Sequence, residues 1–307
     1  MSDAIRARMR TVQLVPITAF DESGALNLEP MRELMRRSYA AGIRVVIPCA
    51  GSAEFHALSA DEIIRVIQMT RETVGSDMVI VAPVGQRLDW ALELGRRAMD
   101  AGADALLIMP LNFPYLSNEG SADYYRAVLD RVDAPTQIYK KAAIPADSLL
   151  LELADHPNLV GVKYAVNDMD AFQTTIRADG GRIDWYCGSA ERYSPYYALA
   201  GAPGYTSGAG NVCPHVTLAM HAAMKAGEWK KALRLQQVLL PIEHGRGRDD
   251  NSYNVSFLKH AIRHVGLDFG EPRTPQRRLS EAERREIDEI MPPILEEERR
   301  LAEIVVF

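Results

Sequence analysis

Eight short apolar runs recur along the chain at a spacing of roughly 25–30 residues, each followed by an amphipathic stretch. They are VQLVPIT from Val12, RVVIPCA from Arg44, MVIVAPV from Met78, DALLIMP from Asp104, APTQIY from Ala134, NLVGVKY from Asn158, RIDWYCG from Arg182 and APGYTSG from Ala202. Most are continuous and β-branched rather than alternating, the pattern of parallel strands covered on both faces. The last is small and Gly-rich and is accepted mainly because it completes the set. Between them lie helix signals: Ser59 is placed to cap IIRVIQMTRETVG, which closes on Gly75, and Ala41-Gly42 and Ala101-Gly102 put a glycine where a helix turns into the next strand. Eight such units in 307 residues predict an α/β fold of the (β/α)8 TIM barrel type rather than an open doubly wound sheet. No GxGxxG follows the first run, which removes the usual mark of a dinucleotide site.

After about Met220 the strand-like runs stop, and three helical stretches follow at 228–240, 253–265 and 280–302. A linker with Pro272 and Pro275 separates the last two. The organisation expected is a barrel over residues 1–225 that carries the active site. Residues 226–307 form a C-terminal helical extension of the same structural unit.

A formal charge of −6 and a pI near 5.7 argue against a nucleic-acid surface. The Arg pairs Arg277–Arg278 and Arg284–Arg285 alternate with Glu and read as solvated helix faces. No apolar run approaches the ~18–20 residues of a membrane span, and the opening MSDAIRARMR has no apolar h-region, so neither a membrane partner nor a secretory signal is expected. Cys49, Cys187 and Cys213 are few and far apart, which suits a reducing cytoplasm better than a disulfide framework or a zinc site. No HExxH, HxH or acid–histidine group stands at metal-ligand spacing, so a metal-dependent mechanism is disfavoured.

In a β/α barrel the chemistry sits at the C-terminal ends of the strands. Strand two runs into Ala50-Gly51-Ser52-Ala53-Glu54, strand four into Pro110-Leu111-Asn112-Phe113, strand five ends in Tyr139, and strand six ends in Lys163. A lysine within a strand of Leu, Val and Gly is the most informative of these. Burying an ammonium is costly, so the amine is driven towards its neutral form, a nucleophile towards ketones. The same lysine could instead snorkel to solvent. Tyr139, one strand earlier, could shuttle protons at an imine or could be an ordinary packed phenol.

These residues carry a resemblance. With Val15-Pro16-Ile17-Thr18-Ala19-Phe20, Glu119-Gly120 and Glu271-Pro272-Arg273-Thr274-Pro275, the chain resembles the dihydrodipicolinate synthase / N-acetylneuraminate lyase family over almost its whole length. The resemblance implies a class I lyase in which Lys163 forms a Schiff base with a 2-keto acid and Tyr139 assists. It also implies a carboxylate-binding loop at Gly51, Ser52 and Ala53, no external cofactor, and a homotetramer built as a dimer of dimers. Several positions depart from the family pattern. Gly51 replaces the first hydroxyl residue of the loop, Leu111 and Asn112 replace the strand-four tyrosines, and Ile144 stands where the synthase has an arginine. The usual threonine–tyrosine proton relay is therefore absent, and lysine biosynthesis is disfavoured.

The loop followed by Glu54-Phe55 is closer to the 5-dehydro-4-deoxyglucarate dehydratase branch. That similarity implies a dehydratase or aldolase for a 2-keto-3-deoxy sugar acid, with Asn112, Lys140 and Ser207 as further substrate-binding residues. Lys140 and Lys141 could meet a second carboxylate or point into solvent. Ser207 and Asn211 could meet hydroxyls or belong to a tight turn, and His56 could face the pocket or the surface. A pyruvate-dependent aldolase, a dihydrodipicolinate synthase-like enzyme and a non-catalytic keto-acid binder are the alternatives.

Overall fold

A computed structural model describes residues 2–305. Helix α1 (Ser2–Met9) leads into β1 (Val12–Leu14), and the chain then alternates. The succession is α2 (Leu28–Ala41), β2 (Val45–Val46), α3 (Ala60–Val74), β3 (Val79–Val84), α4 (Leu88–Asp100), β4 (Ala105–Ile108), α5 (Asn118–Arg131) and β5 (Thr136–Lys140). It continues through α6 (Asp147–Leu153), β6 (Leu159–Tyr164), α7 (Met169–Asp179), β7 (Asp184–Cys187), α8 (Ala190–Leu199), β8 (Tyr205–Ser207) and α9 (Pro214–Lys225). The strands pair in sequence order and β1 closes on β8, with Val12 opposite Tyr205, so the expected (β/α)8 barrel is formed. Each of the eight apolar runs supplies one strand, and β3, β4 and β6 are buried along their whole length. That continuous burial is why these strands read as unbroken apolar runs.

The local signals work as the chemistry requires. Ser59 and Glu62 form a reciprocal capping box at the start of α3, and Gly42 ends α2 at φ +105°, a left-handed conformation open to glycine. Helix α1 lies across the N-terminal end of the barrel, where Arg6 and Arg10 reach Asp184 at 3.0 and 2.9 Å. The opposite end is thus left free for a site.

Past the barrel come α10 (Trp229–Arg246), the single turn α11 (Arg248–Asn251), α12 (Asn254–Ala261) and α13 (Glu281–Val305). The stretch expected to end near Leu240 instead runs through Pro241 to Arg246. A proline inside a helix removes one backbone hydrogen bond and normally stops it. Here burial of Leu239, Ile242 and Glu243 against the barrel carries the helix past it. Glu298 of α13 accepts from the backbone N–H groups of His215 (3.0 Å) and Val216 (2.9 Å), which caps α9. His260 and His264 both meet Asp288 Oδ1 at 2.8 Å, a group that the fold assembles and sequence spacing did not reveal. It fastens α12 and the turn after it to α13.

Candidate active site

At the C-terminal ends of the strands a cavity of about 210 Å³ opens, lined by residues of β5, β6 and β8, the loops after β2 and β7, and the helices α8 and α10. Lys163 stands in β6 directly beside Tyr139 of β5 in the parallel register. Its Nζ lies 4.1 Å from the centre of the Tyr139 ring, and both side chains line the cavity. The close fit has a backbone cause: a Cβ at Gly188, just after β7, would press to 3.0 Å from Lys163 Cγ. Lys163 is 4% exposed. Burial, reinforced by the positive charges of Lys141 and Arg246, holds its pKa down to about 7. Burial pushes the Tyr139 phenol up to about 12, so it stays protonated and able to donate.

The loop after β2 forms a short 3-10 turn, Gly51–Ala53, flanked by Cys49 at φ +59° and Glu54 at φ +65°. Glu54 is buried and paired with the buried Lys259 of α12 at 2.9 Å, and it accepts from the Arg273 N–H at 2.8 Å. The acid of the loop is therefore an anchor for the turn. Ser52 lines the cavity, and its Oγ meets Arg246 Nη2 at 3.3 Å. Arg246 is itself held by Glu243 Oε1 (2.8 Å) and Asn254 Oδ1 (3.0 Å). Its guanidinium rests on Gly208, where any side chain would collide with it. Ser52 and Arg246 together offer a hydroxyl and a guanidinium to a carboxylate.

The chain and its fold are similar to those of known proteins. Residues 8–293 match the model of the dihydrodipicolinate synthetase family. The chain belongs to that family. Its relatives include a probable 5-dehydro-4-deoxyglucarate dehydratase of Streptomyces avermitilis, 31% identical over 85% of this chain and 85% of that one. A 4-hydroxy-tetrahydrodipicolinate synthase of Corynebacterium aurimucosum is 30% identical over 86% and 87%. Among solved structures, the dihydrodipicolinate synthase of Oceanobacillus iheyensis superposes with a TM-score of 0.92 at 32% identity, covering 95% of this chain and 99% of that one. Membership of the dihydrodipicolinate synthetase family places the protein among lyases of the class I aldolase type.

For this member of the dihydrodipicolinate synthetase family, Lys163, Tyr139, Gly51, Ser52 and Ser207 all line one cavity, with the Ser207 hydroxyl donated to Glu191. Four other expectations need correction. Lys140 points away from it: side chains alternate along β5, so Tyr139 faces the cavity and Lys140 the helix layer. There its Nζ donates to the carbonyls of Ala142 and Pro145 and pairs with Asp147 at 3.2 Å. Lys141, beyond the end of the strand, is the lysine that lines the cavity. Ala53 is fully buried behind the loop, its carbonyl taking the Thr18 hydroxyl at 2.7 Å. Asn112 is exposed on the loop after β4 and meets His56 Nε2 at 3.4 Å, outside the cavity. Asn211 bonds the Ile17 N–H and the Val15 and Gly208 carbonyls, so its amide braces backbone.

Sequence reasoning missed Arg192 of α8 and Glu243 and Arg246 of α10, all of which line the cavity. A signal existed: Glu243 and Arg246 stand three apart beyond Pro241, on the buried face if the helix continues.

Proposed function

We propose that the protein is a class I lyase that condenses Lys163 with the ketone of a 2-keto-3-deoxy sugar acid and expels water from the neighbouring carbons. The observation that carries this reading is the buried amine of Lys163, held near neutrality over the Tyr139 ring at the mouth of a cavity. A substrate carboxylate resting on Ser52 and Arg246 presents its C2 ketone to Lys163. Attack gives a carbinolamine, and the Tyr139 hydroxyl delivers its proton to the departing oxygen. The iminium then draws electrons from C3, which acidifies the C3 proton. The imine is the electron sink, so the chemistry needs no external cofactor.

Lys141 and Arg192 add positive charge to the same cavity, which suits a substrate with a second carboxylate. The name of the Streptomyces relative, a sugar-diacid dehydratase, supports the same choice. Family resemblance supports a cytoplasmic homotetramer.

Borohydride reduction in the presence of pyruvate, followed by mass spectrometry, tests the first step. A reduced adduct on Lys163 is the expected result, and none with any 2-keto acid would sink the reading. Product analysis with 5-dehydro-4-deoxyglucarate tests the second: a 2,5-dioxo product supports dehydration, and pyruvate release makes the protein an aldolase.

A further inference from the structure

The lining of the cavity contains a single acid. Among the described residues that line it, Glu243 stands beside four basic residues, Lys141, Lys163, Arg192 and Arg246. Its carboxyl faces Arg246 on its own helix and Glu191 on α8, within hydrogen-bonding reach. Glu191 is fully buried. Its Oε1 accepts the Ser207 and Thr217 hydroxyls, whereas its Oε2 is buried with no donor among the described residues. The neighbouring Glu243 carboxyl, when protonated, brings a donor to Glu191. Burial beside a second carboxyl disfavours the anion of Glu243, which favours a proton on it.

We infer that Glu243 is the acid that protonates the departing C4 hydroxyl of the imine-bound substrate, with Glu191 as the positioning residue that keeps its proton in place. The assignment rests on the dehydratase reading above and fills the gap left by the threonine–tyrosine relay. The protons balance. After giving its proton to the carbinolamine oxygen, the Tyr139 phenolate takes the proton from C3. The C3 electron pair forms the C3–C4 double bond, the C4–O bond breaks, and the Glu243 proton leaves with the hydroxyl as water. Arg246 stabilises the carboxylate that remains. Hydrolysis of the product iminium consumes one water and returns the proton to Glu243.

Burial pushes the Glu243 carboxyl up, Arg246 pulls it down, and Glu191 pushes it up again. The groups of β7 and β8 that face it carry no charge at neutral pH. Cys187 of β7 and Tyr205 of β8 are both driven upwards by burial and stay neutral. Thr217 and Asn254 are uncharged. Arg192 and the two lysines lie around the same cavity and favour the carboxylate once the proton has gone.

Two variants of the intact chain test the assignment. Glu243→Gln should still trap pyruvate on Lys163 with borohydride, yet lose about 10²–10⁴-fold in kcat for water loss from 5-dehydro-4-deoxyglucarate. Glu191→Gln relieves the like-charge contact, so the alkaline limb of its kcat–pH profile should move to lower pH by about one unit or more. A Glu243→Gln variant that dehydrates within threefold of the wild type overturns the assignment alone, as does an unmoved alkaline limb in Glu191→Gln. A wild type that forms no adduct, or that releases pyruvate and no dehydrated product, overturns the dehydratase reading and the assignment with it.

Discussion

At the scale of single residues, Lys163 shows how function and stability oppose one another. Its ordinary pKa of 10.5 falls to about 7 on folding. The unfolded chain therefore holds a proton that the native state gives up, which costs roughly 4 kcal/mol of stability at pH 7 at 1.36 kcal/mol per decade. Stability from this group rises with pH between about 7 and 10.5. Lys163→Met should accordingly abolish the borohydride adduct while raising the unfolding free energy by about 2–4 kcal/mol, measured by denaturant titration. For catalysis the sign is the reverse of an acid: the neutral amine reacts, so kcat/KM should fall as pH drops below about 7. The adjacent lysines at the end of β5 separate cleanly. Lys141→Ala removes a charge that depresses Lys163, so the acid limb should shift to higher pH and KM for a dicarboxylate should rise. Lys140→Ala should leave that limb in place and cost about 1–3 kcal/mol of stability, because Asp147 and the Ala142 and Pro145 carbonyls lose their donor.

At the scale of elements, the eight strands were legible because parallel strands covered on both faces must be apolar throughout, and the capping box of α3 because its side chains stand at fixed spacing. Lys163, Tyr139 and Ser52 were legible for the same reason: strand ends locate the site. What was not legible lies beyond the strands. Which of two adjacent lysines faces inward depends on where β5 stops, a matter of one residue. The run of α10 through Pro241 depends on packing against the barrel, which no local propensity encodes, and with it went Glu243 and Arg246. The exposed Asn112 shows the converse: it follows a strand end, yet its loop carries it outside the cavity. Glu62 illustrates a tie between elements: it completes the capping box of α3 and also takes Arg273 through both oxygens, at 2.6 and 2.9 Å. The Arg273 hydrogen bond holds its carboxyl below the ordinary range. Glu62→Gln should cost about 1–2 kcal/mol at neutral pH in a urea titration. The difference should persist above the unfolded carboxylate range and vanish as pH falls through the depressed folded value.

At the scale of the whole molecule, a chain of net charge −6 keeps a cavity with three cations, Lys141, Arg192 and Arg246, beside the near-neutral Lys163 and one acid. Such a focus of positive potential draws anions in, and salt weakens it. The kcat/KM for a dicarboxylate should therefore fall as ionic strength rises and the Debye length contracts from about 30 Å to about 8 Å. Imine formation with pyruvate, a monoanion, should fall less steeply. The course of α10 has a further consequence. The nucleophile is rooted in the ring of strands, whereas the guanidinium and the acid arrive from a hairpin outside it. Inheritance can then retool what the enzyme accepts by altering residues 226–254 alone, while the reactive amine, braced by eight strands, is carried forward untouched.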